Sequence, residues 1–442
     1  MSSLLGFTKY TALTNWSVSH LLENQFQYNE NYRLEKIGRF LKRNKTQVLV
    51  DDNTEYKRVK IKLYNKGVFL RNKEFGINIG TKKQFLIKKG QFLLSKIDAR
   101  NGAFGLATDA VDGAIITADF FSYDIDATKI EPYFLVLMTT TEKFQKFAQS
   151  ASSGTTGRQR IDEKKFLDVK IPLPSLNMQK EIVNKYKAKI NLSVSQEEII
   201  AQRENEIEDY LHETLGIEIP EKKETKNILE FVAFKDINEW SLKAIINTNF
   251  QSSKLFDTVE LSKIILDKPK YGSNSKGIKE ITNTRYIRIT DINEDGTLND
   301  NIVSAEEVKE QYILKQDDFL IARSGSVGRT FLYDEKYGRC LYAGYLIKFV
   351  LNKDLVDPFY LLYYTKSKLY RDWVDSKKRI TGVPNINSQE YLKSPIILPD
   401  IKIQNKITNH LKELKKEIQD LKDKSFLNRN LALINFEKEI FL

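Results

Sequence analysis

Three histidines, one cysteine and a pair of glycine-bearing loops are the residues from which any chemistry would have to be built. His20, His212 and His410 lie far apart in the chain and match no metal-ligand spacing. Their types and settings predict His20 and His410 on solvated surface and His212 on a helix. Cys340 stands alone, which removes disulfide frameworks and cysteine-based zinc sites. No phosphate loop of the Gly-x-x-x-x-Gly-Lys-Ser/Thr type occurs, and no Gly-x-Gly-x-x-Gly follows a strand pattern. Ser324-Gly325-Ser326-Val327-Gly328 has the composition of a phosphate cradle. Its counterpart earlier in the chain, Ile97-Asp98-Ala99-Arg100-Asn101-Gly102, does not keep the glycines, which argues against a nucleotide there. Asp357-Pro358-Phe359-Tyr360 is one proline short of the Asp-Pro-Pro-Tyr motif with which DNA amino-methyltransferases grip an amine. No glycine-rich adenosylmethionine motif accompanies it, and its simpler role is an acidic cap before a proline-led helix.

The chemistry that remains is positive charge beside adaptable polar loops. Residues 31–103 hold 19 Lys+Arg against 6 Asp+Glu, whereas 175–215 hold 5 against 8. A basic globular part beside a near-neutral helix is the pattern of a phosphate-binding head on a structural stalk. One loop reads Ser153-Gly154-Thr155-Thr156-Gly157-Arg158-Gln159-Arg160. The other reads Lys377-Lys378-Arg379-Ile380-Thr381-Gly382-Val383-Pro384-Asn385. Glycine lets a backbone approach a ligand closely, hydroxyls suit phosphate oxygens, and Arg, Gln and Asn side chains match guanine and adenine edges. Thr155, Thr156, Arg158, Gln159 and Arg160, then Lys377, Lys378, Arg379 and Asn385, are therefore the candidate DNA-contacting residues. Arg100, Asn101, Arg323, Ser324, Ser326 and Arg329, on the loops preceding these, complete the set.

These loops sit at matching places in a duplicated chain. Trp16-Ser17-Val18 returns as Trp240-Ser241-Leu242 and Phe26-Gln27 as Phe250-Gln251, each 224 residues later. Phe92-Leu93-Leu94 matches Phe319-Leu320-Ile321 at 227, and Glu131-Pro132-Tyr133-Phe134 matches Asp357-Pro358-Phe359-Tyr360 at 226. Gly157, Pro174 and Gln179 match Gly382, Pro399 and Gln404, all at 225. A period this long is a duplicated domain rather than a solenoid unit. The glycine register is shared by the two loops and the flanking polar side chains differ, as two heads reading different sequences require.

The elements that must hold the loops are of two kinds. Short β-type runs with turn signals, Arg58-Val59-Lys60-Ile61 and Tyr286-Ile287-Arg288-Ile289 among them, mix with helices. Lys66-Gly67 and Asp295-Gly296 mark turns. Pro132 and Pro358, each after an acidic residue, start helices that run on through Leu135…Phe144-Phe147 and Leu361…Leu369-Trp373. The mixture predicts α+β. After Pro399, Ile403, Ile407, Leu411, Leu414, Ile418 and Leu421 recur at spacings of 4, 4, 3, 4 and 3, a coiled-coil seam. After Pro174, Ile182, Tyr186, Ile190 and Val194 begin a second stripe, which Ile200, Ile207, Leu211 and Thr214 continue. Two helices of roughly 45–60 Å follow from the rise per residue, and each is the natural partner of the other. The expected division is 1–173, first recognition domain; 174–215, long helix; 216–230, linker; 231–398, second recognition domain; and 399–442, second long helix.

Composition bounds the rest. The 442 residues carry 70 Lys+Arg against 59 Asp+Glu, a formal charge of +11, and 41% are hydrophobic. That supports more than one buried core and excludes wholesale disorder. No run of 18 uncharged apolar residues and no signal-peptide pattern is seen, so a cytoplasmic protein without membrane contact is expected.

Taken with the repeat, Ser153-Gly154-Thr155-Thr156-Gly157-Arg158, Ile171-Pro172-Leu173-Pro174 and Gln179-Lys180-Glu181-Ile182 resemble the specificity subunit of type I restriction–modification systems. The second copy, Ile397-Leu398-Pro399 and Gln404-Asn405-Lys406-Ile407, lacks the first proline of the pair. The resemblance spans essentially the full length. It implies a bacterial or archaeal subunit with two target-recognition domains separated by two long helices in an antiparallel coiled coil. It implies no catalysis and no cofactor in this chain. Each domain would read one half of an asymmetric, bipartite double-stranded DNA site, and the helices would set the spacer. Two modification subunits, carrying S-adenosylmethionine and methylating adenine N6, would dock on it. Restriction subunits with ATP- and Mg-dependent translocation and nuclease activity would join them in defence against phage. Two rival readings stand beside this one: a self-contained DNA methyltransferase or nuclease, and a coiled-coil scaffold that binds no nucleic acid.

Overall fold

The computed structural model describes residues 29–63, 66–142, 144–145, 152–153, 160–217, 253–378 and 384–441. The chain divides into two units, one of 1–196 with 423–442 and the other of 197–422. Trp16, Phe26, His20, Trp240 and Phe250, and the glycines Gly157 and Gly382, lie outside the described residues.

In the first unit, β1 (Arg33–Lys36) and β13 (Lys170–Leu173) pair antiparallel. Beside them stands a four-stranded sheet. Its order is β2 (Leu41–Arg43), β10 (Phe120–Ile125), β7 (Phe92–Ser95) and β8 (Phe104–Leu106). A second sheet is ordered β3 (Gln47–Leu49), β6 (Lys83–Leu86), β9 (Ile115–Ile116), β4 (Glu55–Lys62) and β5 (Gly67–Phe75). Short β11 (Ser152–Ser153) and β12 (Arg160–Ile161) pair with each other. Helices α1 (Pro132–Thr140) and α2 (Glu163–Leu167) pack on the four-stranded sheet around Phe92, Phe104, Tyr123, Phe134 and Phe166.

The second unit repeats this plan. β14 (Thr258–Glu260) pairs with β23 (Pro395–Ile397). Its core sheet is ordered β15 (Lys270–Tyr271), β22 (Leu346–Phe349), β19 (Phe319–Ala322) and β20 (Thr330–Leu332). Its outer sheet is ordered β16 (Gly277–Ile278), β18 (Ser304–Ala305), β17 (Arg285–Ile287) and β21 (Cys340–Tyr342). Helices α4 (Pro358–Tyr364), α5 (Lys368–Lys377) and α6 (Ser388–Leu392) complete it. The fold is α+β, as the mixed texture predicts.

The proline-led helix starts are built as their residues dictate. The Glu131 carboxylate accepts the Phe134 N–H at 2.5 Å, and Asp357 accepts those of Phe359 and Tyr360 at 3.2 and 3.3 Å. The expected run from Leu361 to Trp373 is not one helix. Ser367 caps a new one by accepting the Tyr370 N–H at 3.4 Å, so α4 ends and α5 begins there.

The long helices are α3 (Leu176–Thr214) and α7 (Ile401–Phe441). In the first unit Lys185 faces Glu439 at 3.8 Å, Ser193 bonds Ser425 at 2.7 Å and Asn428 donates to Gln196 at 3.1 Å. In the second, Arg203 meets Glu417 at 3.2 Å, and the His410 ring lies 4.2 Å from that of Tyr210. Numbers rise along α3 as they fall along α7, so the pairing within each unit is antiparallel. Ile407, Leu411, Leu414 and Ile418 are buried as the seam requires. Val194 is not: it is 40% exposed, and Ser193, fully buried, takes the inward place. Eleven residues make three turns, so the position after Ile182 that returns to the seam is 193. His410 is half-buried against Tyr210 rather than on open surface, while His212 lies on α3. Gly216, at φ +62, ends α3, with the Ile217 N–H returning to His212 O at 2.8 Å. Residues 218–230 of the expected linker lie outside the described residues.

Candidate nucleic-acid interface

In each unit the strand at the centre of the four-stranded sheet delivers a basic residue to the foot of the second loop. The Lys96 carbonyl, just past β7, accepts the Ile161 N–H at 2.9 Å. The Arg323 carbonyl, just past β19, accepts the Ile386 N–H at 2.9 Å. The two loops singled out in each half of the sequence are thereby laid side by side.

In the first unit Arg160, on β12, is exposed and donates to Asp119 Oδ1 at 2.9 Å. The Lys96 ammonium sits 4.3 Å over the Phe121 ring, and the Arg43 guanidinium lies 4.1 Å from the same ring. Burial lowers the Lys96 pKa, Arg43 lowers it further, and Asp119 and Glu163 oppose the shift. Arg43 also donates to Phe120 O at 3.2 Å. Asn101 closes a 3-10 turn, Ala99–Asn101, whose backbone includes Arg100 and which ends on left-handed Gly102. Thr155, Thr156, Arg158 and Gln159 lie outside the described residues.

In the second unit Ser324 and Asn385 face each other across an antiparallel bridge. Arg323 donates to Asn385 Oδ1 at 3.5 Å, and its guanidinium lies 4.9 Å from the Tyr271 ring. Between Ser324 and Arg329 the chain turns on Gly325 and Gly328, at φ +68 and +80. A Cβ on Gly328 would lie 2.6 Å from Val374, so only glycine lets this loop press on α5. A cavity of about 420 Å³ lies there, where Ser326, Arg329 and Lys378 share walls with Lys366, Arg371 and Asp375. Arg329 is held by Ile292 O at 2.9 Å, and Lys378 pairs with Asp375. Lys366 donates to Thr330 O at 2.9 Å. Burial, with Lys415 close by, pushes its pKa down to about 7 against the attraction of Asp295. Lys377 is half-buried at the end of α5, and Arg379 lies outside the described residues.

The structure thus brings together Arg323, Ser324, Ser326, Arg329, Lys378 and Asn385 in one unit. In the other it leaves Arg160 beside Lys96, which the sequence reading did not single out. The repeat carries the missing signal, because Lys96 precedes Arg323 by the same 227 residues that separate Phe92 from Phe319. The repeat gives no such signal for Lys366 and Arg371: at the 226-residue register of Glu131 and Asp357 their counterparts are Thr140 and Gln145, both uncharged.

A type I restriction modification DNA specificity domain model matches residues 29–209 and again 247–426. The chain belongs to this family. Its two matches, one per repeat, make it a DNA-sequence-recognition subunit with two specificity domains.

Three solved structures are similar. One comes from work on complex assembly and conformational transition of the type I R-M system: 14% identical, covering 94% of this chain and 98% of that one, with a TM-score of 0.57. The type I restriction-modification S subunit from M. genitalium is 13% identical, with coverages of 93% and 97% and a TM-score of 0.50. The HsdS subunit from Thermoanaerobacter tengcongensis is 15% identical, with coverages of 94% and 99% and a TM-score of 0.44. At these identities the likeness to the first two is one of fold. No curated protein matches the sequence. Among the described residues no helix is long and apolar enough to cross a membrane.

Proposed function

We propose that this specificity subunit reads a divided site on double-stranded DNA, one half per domain, and supplies no catalytic group of its own. The observation that carries the reading is the duplicated junction. Ile161 to Lys96 and Ile386 to Arg323, both 2.9 Å, build the same two-loop platform twice. The side chains on the two platforms differ: Arg160 on one, Asn385 at the matching place on the other. An arginine fork suits guanine O6 and N7, and an asparagine amide suits adenine N6 and N7, so unlike platforms select unlike half-sites. Phosphate contacts from Lys96, Arg100, Asn101, Thr155, Thr156, Lys377, Lys378, Arg379 and the cavity residues Ser326 and Arg329 hold register without reading bases. Arg158, Gln159 and Arg160 carry base reading in the first domain, and Arg323, Ser324 and Asn385 in the second.

Helices α3 and α7 serve as the spacer between half-sites and as the docking surface for two modification subunits. Those subunits bring S-adenosylmethionine; restriction subunits bring the ATP- and Mg-dependent steps. The deciding experiment maps methylated adenines in genomic DNA from cells carrying this subunit. A motif of two short specified halves with a constant unspecified gap is expected. A single undivided motif would overturn the reading.

A further inference from the structure

The outer sheets of the two units begin alike and then diverge. In each, one strand runs parallel to the strand that leads into the core sheet, with Arg58 beside Ile115 and Arg285 beside Cys340. Arg58 and Arg285 are 227 residues apart, the register of the repeat. On the far side of that strand, among the described residues, the second unit pairs only Arg285 with Ser304 before β18 passes on to the two-residue β16. Its stretch 277–312 is acidic, with 4 Lys+Arg against 8 Asp+Glu. The first unit instead extends β4 to eight residues and zips it to the nine-residue edge strand β5, from Glu55–Phe75 to Lys62–Gly67. Its stretch 55–75 holds 7 Lys+Arg and 2 Asp+Glu.

Both carboxylates in this ribbon are taken: Arg58 holds Glu74 at 2.7 Å, and Lys73 reaches Glu55 at 3.9 Å. Among the described residues no acidic partner faces Lys60, Lys62, Lys66 or Arg71, and all four are exposed. Alternation along the strands puts Arg58, Lys60 and Lys62 on one face with Phe69 and Asn72 opposite them. Ile61 and Val68, on the other face, are buried and anchor the ribbon. The Lys62 ammonium lies 4.3 Å over the ring of Phe69, which is itself 41% exposed.

We infer that the β4–β5 ribbon is a second grip of the first recognition domain on duplex DNA, closing on the phosphate backbone through Lys60, Lys62 and Arg71, and that the second domain has no equivalent. The inference rests on the DNA-reading function proposed above. A long edge strand would otherwise invite pairing with another chain, and the bulge that leaves Arg71 unpaired opposite Arg58–Val59, together with a lysine, would be enough to blunt it. The exposed ring and the unbalanced charge on the presented face go beyond that need and suit a polyanion. Most of the free cations are lysines, point charges that hold phosphate without distinguishing bases.

The test uses the full-length subunit assembled with its modification subunits, on a duplex carrying its own methylation motif. K60Q/K62Q/R71Q is expected to weaken binding about tenfold or more at moderate salt. The slope of log affinity against log salt should fall by about 2 to 3, the contribution of three phosphates, with the methylated sequence unchanged. K60R/K62R/R71K should keep the wild-type slope and controls for folding. Wild-type slope and affinity in the Gln variant, with the wild-type complex binding well, would overturn the ribbon grip alone. So would loss of subunit assembly with unaltered DNA binding by the complexes that form, because the ribbon would then face protein. A wild-type complex that binds no duplex at low salt would instead overturn the DNA-reading function beneath it.

Discussion

The side-chain oxygen of Gln404 accepts the backbone N–H of Asp357 at 2.8 Å, tying the start of α7 to the start of α4. Its nitrogen donates to Pro399 O at 2.8 Å and to Leu355 O at 2.9 Å, and the side chain is fully buried. Gln179 repeats the clamp, accepting from Glu131 N and donating to Pro174 O, both at 2.8 Å. Gln404→Leu would take this partner from three backbone groups, of which the Pro399 carbonyl is buried and the other two are partly exposed, and is expected to cost about 1–3 kcal/mol. Gln179→Leu, which breaks two bonds, should cost less. Denaturant titration of the two variants checks the order, and equal costs near zero would show that the clamps are incidental.

The second expectation concerns the polar spot in the α3–α7 seam of the first unit. Ser193 and Ser425 are buried and share a hydrogen bond of 2.7 Å. Replacing one by Ala should cost about 1 kcal/mol, and replacing both should cost less than the sum of the two single changes, since the shared hydrogen bond is lost in each of them. A double-mutant cycle on thermal or denaturant midpoints measures this coupling. Strict additivity would mean that the two hydroxyls do not act as a pair.

These two cases show what the chain disclosed before its structure. Gln179 and Gln404 are visible as landmarks because the repeat preserves them, and Glu131-Pro132 and Asp357-Pro358 reveal their helix starts through local rules of capping. Ser193 is invisible to hydrophobic periodicity, which chose the neighbouring Val194. The same is true of Lys96. Its place depends on a hydrogen bond to Ile161, 65 positions away. The excess charge of 31–103 was legible, yet its concentration on one ribbon depends on a strand pairing that composition does not encode. Nothing in the local sequence of His410 marks it as covered, because its neighbour Tyr210 lies on the other long helix.

Lys366 makes stability depend on pH. Its folded pKa is near 7, below its ordinary value of 10.5, because burial and the nearby Lys415 disfavour the charge. The unfolded chain therefore binds more protons between those values, and stability rises with pH across that window. The penalty is fully present below about pH 7. Lys366 is only half-buried, so solvent screening reduces the effect, and a gain of about 1–2 kcal/mol from pH 7 to pH 9 is expected. Lys366→Met should abolish that gain. Denaturant midpoints at the two pH values decide, and an equal gain in the variant would assign it to other groups.

The loop platforms give the most direct test of function. Arg160 meets Asp119 in an exposed pair worth about 0–1 kcal/mol, so Arg160→Ala should leave stability nearly unchanged. Its expected effect lies elsewhere: discrimination at one base position weakens by about 1–3 kcal/mol, in one half of the methylated motif only. Asn385→Ala should relax the other half. Its loss also removes an acceptor from Arg323, which can still stack on Tyr271. Adenine-methylation maps from cells carrying each variant would show the two halves degrading independently. If both substitutions altered the same half, or neither altered either, these side chains would not be the ones that read bases.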